Sequence, residues 1–133
     1  RWSLDFKQSG VRARRYNAAG VAQGDEFQVT ADSTDSLGLS SIAAAGDGSF
    51  VVVWYRPEGD HFAQRLDAFG APVGEMIRVN SPSGQPRGAS VATGAAGSFV
   101  VVWHTFLGLD GSYSGAFARQ FDGAGNPLQT SFR

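Results

Sequence analysis

The chain has no cysteine among its 133 residues. That excludes a disulfide framework and cysteine-ligated zinc. Charge is scarce as well: charged residues make up 17%, the net charge is -1, and no basic run exceeds Arg14–Arg15. There is no electropositive stripe for a phosphate backbone, so no nucleic-acid partner is expected. Ten of the eleven basic residues are Arg, which reads mainly as genome composition. No apolar run approaches the roughly 20 residues a spanning helix needs, so no membrane insertion is expected. The chain opens on Arg1-Trp2-Ser3, with neither Met nor an apolar leader. This opening reads as a processed or excised piece. Helix signals are missing too: nowhere does a 3.6-residue apolar period run between caps. The two histidines, His61 and His104, stand far apart in sequence. No His-Glu-x-x-His, no Gly-x-Ser-x-Gly elbow and no phosphate loop occurs, so an enzyme is not expected.

What is present is glycine, apolar residues and repetition. Eighteen glycines beside clusters of Val, Phe and Trp suggest short strands joined by tight turns. "GSFVVVW" occurs at Gly48–Trp54 and again at Gly97–Trp103, and Ser41–Trp54 matches Ser90–Trp103 at nine of fourteen positions without a gap. A second element recurs three times, at Arg14–Val29, Gln64–Val79 and Arg119–Arg133. In register, Tyr16, Leu66 and Phe121 coincide, as do Asn17, Asp67 and Asp122, and then Gly20, Gly70 and Gly125. Trp2 aligns with Trp54 and Trp103. Identity of the Trp across copies points to packing.

Each unit reads as four strands. The first is "LSSIAAAG" or "ASVATGAAG", and the second is "SFVVVW". A variable loop leads to the third, "HFAQRLD" or "AFARQFD", and an Asp/Asn-x-x-Gly turn to the fourth, "GEMIRVN" or "PLQTSFR". "FVVVW" does not alternate, which predicts burial of both faces. The third strand alternates, with Phe117, Arg119 and Phe121 on one face and Ala116, Ala118 and Gln120 on the other. The expected fold class is all-β, built of β-propeller-type four-stranded blades in about two and a half copies. The alternative is a β-trefoil-like three-fold repeat. The chain is read as a single repeat domain, 1–133, with units at 1–40 (partial), 41–89 and 90–133. A repeat cannot bury its face alone. The chain is therefore expected to be a homo-oligomer or a fragment of a longer repeat array.

The string "DGSFVVVW…HFAQRLDAFGAPVGEMIRVN" resembles a repeat of about 50 residues found in large bacterial surface and secreted proteins, which carry haemolysin-type calcium-binding or cadherin-like modules elsewhere. The repeat runs Gly-x-Phe-Val-Val-x-Trp, an Asp/Gly-rich loop, Phe-Ala-Gln-Arg-Phe-Asp-x-x-Gly, then Glu-Phe-x-Val-Asn. It maps onto Gly97–Trp103, Leu109–Gly115, Phe117–Gly125 and, in earlier copies, Glu26–Thr30 and Met76–Asn80. The resemblance covers nearly the whole chain, and two of the three variable loops are shorter than its pattern. It implies a propeller-like, adhesive module, secreted or at the cell surface.

The copies diverge just after each Trp, and loops on a rigid frame are where binding sits. The candidate ligand-binding residues are Tyr55, Arg56, Glu58 and Asp60 in one loop, and His104, Asp110, Ser112 and Tyr113 in the other. Aromatic faces beside planar polar groups suit sugar rings. The competing reading is that the aromatics cover strand ends and the loops drift freely. Asp110, Ser112 and Ser114 place oxygens at alternate positions, so Asp110 is a candidate Ca²⁺ ligand. Against this, only one of the three is a carboxylate, and a plain Gly-Ser turn explains the stretch. Arg14, Arg65 and Asp67 read as pairing residues of the repeat. The expected function is a non-enzymatic binding module, adhesive or lectin-like, that takes a glycan or a surface protein. A structural spacer, with or without calcium, is the alternative, and a glycosidase-like enzyme comes third.

Overall fold

The computed structural model describes residues 2–5, 10–30, 38–56, 59–80, 85–107 and 113–129. The chain divides into two compact units, Arg1–Leu37 and Gly38–Arg133. It is all-β, and the only helical piece among the described residues is one 3-10 turn at Ala95–Gly97.

The first unit holds one antiparallel sheet of three strands in the order β1 (Trp2–Asp5), β2 (Arg12–Arg15), β3 (Phe27–Gln28). The second unit holds two sheets. The second sheet runs β4 (Gly38–Ala44), β5 (Phe50–Tyr55), β6 (His61–Leu66), β7 (Pro72–Arg78). The third runs β8 (Gln85–Thr93), β9 (Phe99–Leu107), β10 (Tyr113–Phe121), and an isolated bridge ties Phe121 to Pro127. Each sheet is a meander whose neighbours in space are neighbours in sequence. Among the described residues no sheet closes on itself, so the three-fold barrel of a trefoil is not seen.

The Asp/Asn-x-x-Gly turn takes one geometry three times. Asn17 Oδ1 accepts from the amides of Ala19 and Val21, Asp67 Oδ1 from Phe69 and Ala71, and Asp122 Oδ1 from Ala124 and Asn126, all at 2.8–3.0 Å. The glycine three residues on donates to the carbonyl of the Asn or Asp with φ of 79°, 91° and 87° at Gly20, Gly70 and Gly125. This is a type I turn closed by a left-handed residue, where glycine has no Cβ to clash.

The second and third sheets stack face to face. Val51, Val53, Ala63 and Val79 of one side form a core with Ala89, Phe99, Val101, Trp103 and Phe121 of the other. Cross-strand pairs on the third sheet's inner face stack: Phe99 on Phe121 at 4.7 Å, Trp103 on Phe117 at 6.1 Å. The alternation expected of β10 is confirmed by its register, since Phe117 faces Trp103 and Phe121 faces Phe99. Two expectations are corrected. Both faces of "FVVVW" are buried in β5 but only one in β9, where Val102 is 42% exposed. Trp2 does not hold the place of the other two Trp. Those face Phe62 and Phe117, whose equivalent is Arg12, and Arg12 faces Asp5 while Trp2 faces Arg15. The pairing of β1 with β2 sets register there, whatever the match in sequence.

Candidate functional site

The end of the second sheet that follows Trp54 carries three of the residues singled out by sequence, Tyr55, Arg56 and Asp60. The connection is tight: the Arg56 amide donates to Asp60 O and the Gly59 amide to Arg56 O, both at 2.9 Å. Tyr55 pairs with His61, their rings 5.9 Å apart, and its ring fills the space where a Cβ at Gly38 would stand. The Arg56 guanidinium lies over the Phe62 ring at 4.6 Å. Asp60 accepts from Arg78 Nη2 at 2.8 Å. Tyr55, Arg56 and Asp60 are thus brought together, and each is engaged within its own sheet. Glu58 lies outside the described residues.

His104 does not join them on one face. It stands on the face of β9 opposite Trp103, exposed, with its ring against Gly88. Tyr113 opens β10 opposite Leu107. Asp110 and Ser112, and with them the calcium expectation, lie outside the described residues. Among the described residues no group of three His, Cys, Asp or Glu is placed to hold a metal ion.

Sequence reasoning passed over His61, the least expected feature of this end. Its ring is fully buried, 6.4 Å from Trp103, and neither ring nitrogen has a hydrogen-bond partner. Burial pushes its pKa down to about 4; the nearby Asp60 charge opposes this and His104 adds to it. The imidazole is therefore neutral at neutral pH. Its backbone is tied down by a device the first unit repeats. The His61 amide donates to Asn80 Oδ1 at 2.6 Å, and the amide of Val11, at the equivalent position, donates to Thr30 Oγ1 at 3.2 Å. One signal could have found His61: its equivalents in the repeat, Val11 and Ala116, are apolar.

At the opposite, turn-bearing end of the second unit lies a cavity of about 270 Å³ between the second and third sheets. Its apolar side chains are Val51 and Val73; Phe50 and Leu66 border it from strand positions whose side chains take the sheet's other face. Its polar groups are Asp47, Ser49, Arg65, Asp67 and Thr93. Arg65 spans the two sheets, its Nη1 donating to Gly123 O, and its Nε is buried without a hydrogen-bond partner. The Ser49 hydroxyl and amide both donate to Asp47 Oδ1, which holds that carboxyl below its usual pKa. Thr93 Oγ1 donates to Ala44 O at 2.7 Å. Two carboxylates, a guanidinium and two hydroxyls around an aliphatic wall can bond hydroxyl groups while packing C–H faces.

No protein-family model matches the chain, and no curated protein matches it. No helix among the described residues is long and apolar enough to cross a membrane.

Proposed function

We propose that the chain is a non-enzymatic binding module whose meanders are propeller-type blades, and that it recognises carbohydrate in an adhesive role at a cell surface or in a secreted protein. The observation that carries this reading is the cavity between the second and third sheets. It combines Arg65, Asp47 and Asp67 with the Val51 and Val73 side chains, and it lies at the turn-bearing end. Charged, planar, multi-donor groups around an apolar floor distinguish polyhydroxylated ligands from purely apolar ones. The recognition site thus shifts from the loops after the Trp residues to the turn end.

A spacer remains the second reading, and one observation favours it. Tyr55, Arg56 and Asp60, which sequence offered for binding, serve the internal order of the second sheet.

A glycan array followed by calorimetry separates the two. Val73→Trp fills the cavity from its edge without removing a hydrogen-bonding group, and Val73 is 39% exposed, so the fold tolerates it. The expected result is one glycan class bound by the wild type and lost in Val73→Trp at an unchanged melting temperature. Silence across a broad array overturns the carbohydrate reading and leaves the spacer. Binding that Val73→Trp does not weaken moves the site elsewhere.

A further inference from the structure

The cavity between the second and third sheets has an unfinished twin. Its second-sheet wall is made by Ser49, Phe50, Val51, Arg65, Leu66 and Val73. Thr93, Ala96, Gly97 and Gly123 of the third sheet close it. One repeat further on, the same wall positions are Ser98, Phe99, Val100, Gln120, Phe121 and Leu128. These six residues line a second groove, of about 230 Å³. Its remaining lining among the described residues, Ala92, Thr93 and Gly94, also belongs to the third sheet, so no described turn of a neighbouring sheet closes it. The rest of that face is open and carries the exposed His104. Val102 and Leu128 are 42% and 60% exposed, and Ala116 and Gln120 are exposed. In the second sheet the equivalents of Val100, Val102 and Ala118 are Val51, Val53 and Ala63, which lie in the core under the third sheet.

The chain also shows what covers such a face. In the third sheet the covering side carries Arg119 over the Phe121 ring at 5.8 Å, and Arg119 Nη1 crosses to Val79 O at 2.9 Å. The first unit carries the same pair at the equivalent positions, Arg14 over the Tyr16 ring at 5.9 Å. Phe121 is 1% exposed in the docked sheet, whereas Tyr16 is only partly buried. The turn that follows matches too. Gly123, whose carbonyl receives Arg65, corresponds to Ala18 in an exposed turn with the same hydrogen bonds.

We propose that the open face of the third sheet binds the first unit of a second copy of this chain. The contact is head to tail and repeats the contact between the second and third sheets. It rests on the reading of the sheets as stacking blades and is independent of what the cavity binds. The two surfaces differ, so the contact is heterologous, and copies add until a ring closes. Each junction completes one further cavity, with Gln120 in the place of Arg65.

Sedimentation equilibrium over a dilution series of the whole chain tests this. The expected wild-type result is a discrete multiple of 14.0 kDa that dissociates on dilution. Val102→Glu on the open face and Tyr16→Glu on the first unit should each give a 14.0 kDa monomer, with far-UV circular dichroism showing retained strand. Arg14→Glu is the second variant on the first unit, should Tyr16→Glu not fold. An equimolar mixture of the two monomeric variants should give a dimer and nothing larger, because each keeps the surface the other lacks. A wild type that stays monomeric at the highest concentration overturns the proposal. So does an assembly indifferent to Val102→Glu, or a mixture that stays monomeric. A monomer that still binds glycan would sink this inference alone, and an assembly silent on the array would sink only the carbohydrate reading.

Discussion

The same heptapeptide has two fates in this molecule. In β5, Phe50, Val51, Val52, Val53 and Trp54 are all buried. In β9, Phe99, Val101 and Trp103 are buried, while Val100 is partly exposed and Val102 is 42% exposed. Sequence and strand pairing do not differ, since each strand runs between a first and a third strand of its meander. What differs is the neighbour. The Val51–Val53 face of β5 receives the third sheet, and no described residue of the second unit covers the matching face of β9. Burial in a stacked repeat is thus a property of place in the stack, and the uncovered copy displays the surface that the covered copy hides.

The largest test of this contrast puts a charge at the matched positions. Val53 has no exposure, so Val53→Asp leaves an unpaired carboxylate in the core and should cost roughly 4 kcal/mol, enough to unfold a marginal domain. Val102→Asp places the same group in water on the monomer and should cost about 0.5 kcal/mol or less. Urea midpoints, read at concentrations where both chains are monomeric, decide it. Equal losses would mean that the two faces are not differently covered.

A second contrast lies at the start of the third strand, where the second sheet has His61 and the third has Ala116. His61 is held neutral, with its pKa down at about 4, first by burial. The unfolded chain takes up this proton near 6.5 and the folded one only near 4, so between those values the unfolded state binds more protons. Stability from this group is complete above pH 6.5 and is lost as pH falls toward 4, with roughly 3 kcal/mol as the full span. His61→Val, which installs the residue of the first unit, should flatten urea midpoints across that window. A variant that keeps the wild-type slope would place the titration elsewhere. At pH 7 the same variant also reports on the two unpartnered ring nitrogens, since removing orphaned polar atoms from a core is neutral or stabilising.

Much of the frame was legible because it repeats. The Asn17, Asp67 and Asp122 turns are set by residues four or fewer apart, and local chemistry decides them. The alternation of Phe117, Arg119 and Phe121 is equally local, and β10 follows it. The site was less legible. Tyr55, Arg56 and Asp60 drew notice because they follow a Trp, yet their partners Gly38, Phe62 and Arg78 lie elsewhere in the sheet. Arg65 reads as a pairing residue, and only stacking reveals that it reaches Gly123, 58 positions away, across a cavity. Trp2 matched by residue type and missed by register, because identity of one residue does not fix where a hairpin pairs. Periodicity foretold that "FVVVW" has two apolar faces. It carried no information on which copy would have a neighbour.

The smallest contrast is between the turns that lead into the two "FVVVW" strands. In the second sheet, Ala45 and Ser49 close the turn, Gly48 takes φ of 85°, and Asp47 in front of it keeps an ordinary φ and accepts from Ser49. In the third sheet, Ala96 stands where Asp47 does, and Ala96 and Gly97 both turn left-handed, at φ of 54° and 75°. The Ser98 amide and hydroxyl donate to Ala95 O, so no side chain is needed as acceptor. A left-handed Ala costs about 1 kcal/mol through its Cβ. Glycine removes that cost and returns roughly half of it as unfolded-state entropy. Ala96→Gly should therefore raise stability by about 0.5 kcal/mol, read as a small upward shift of the urea midpoint. Asp47→Gly should lower the midpoint, since it deletes an acceptor where no left-handed residue is required. Opposite signs from one substitution at equivalent positions would show that the two copies close their turns by different means, and a shared sign would show that they do not.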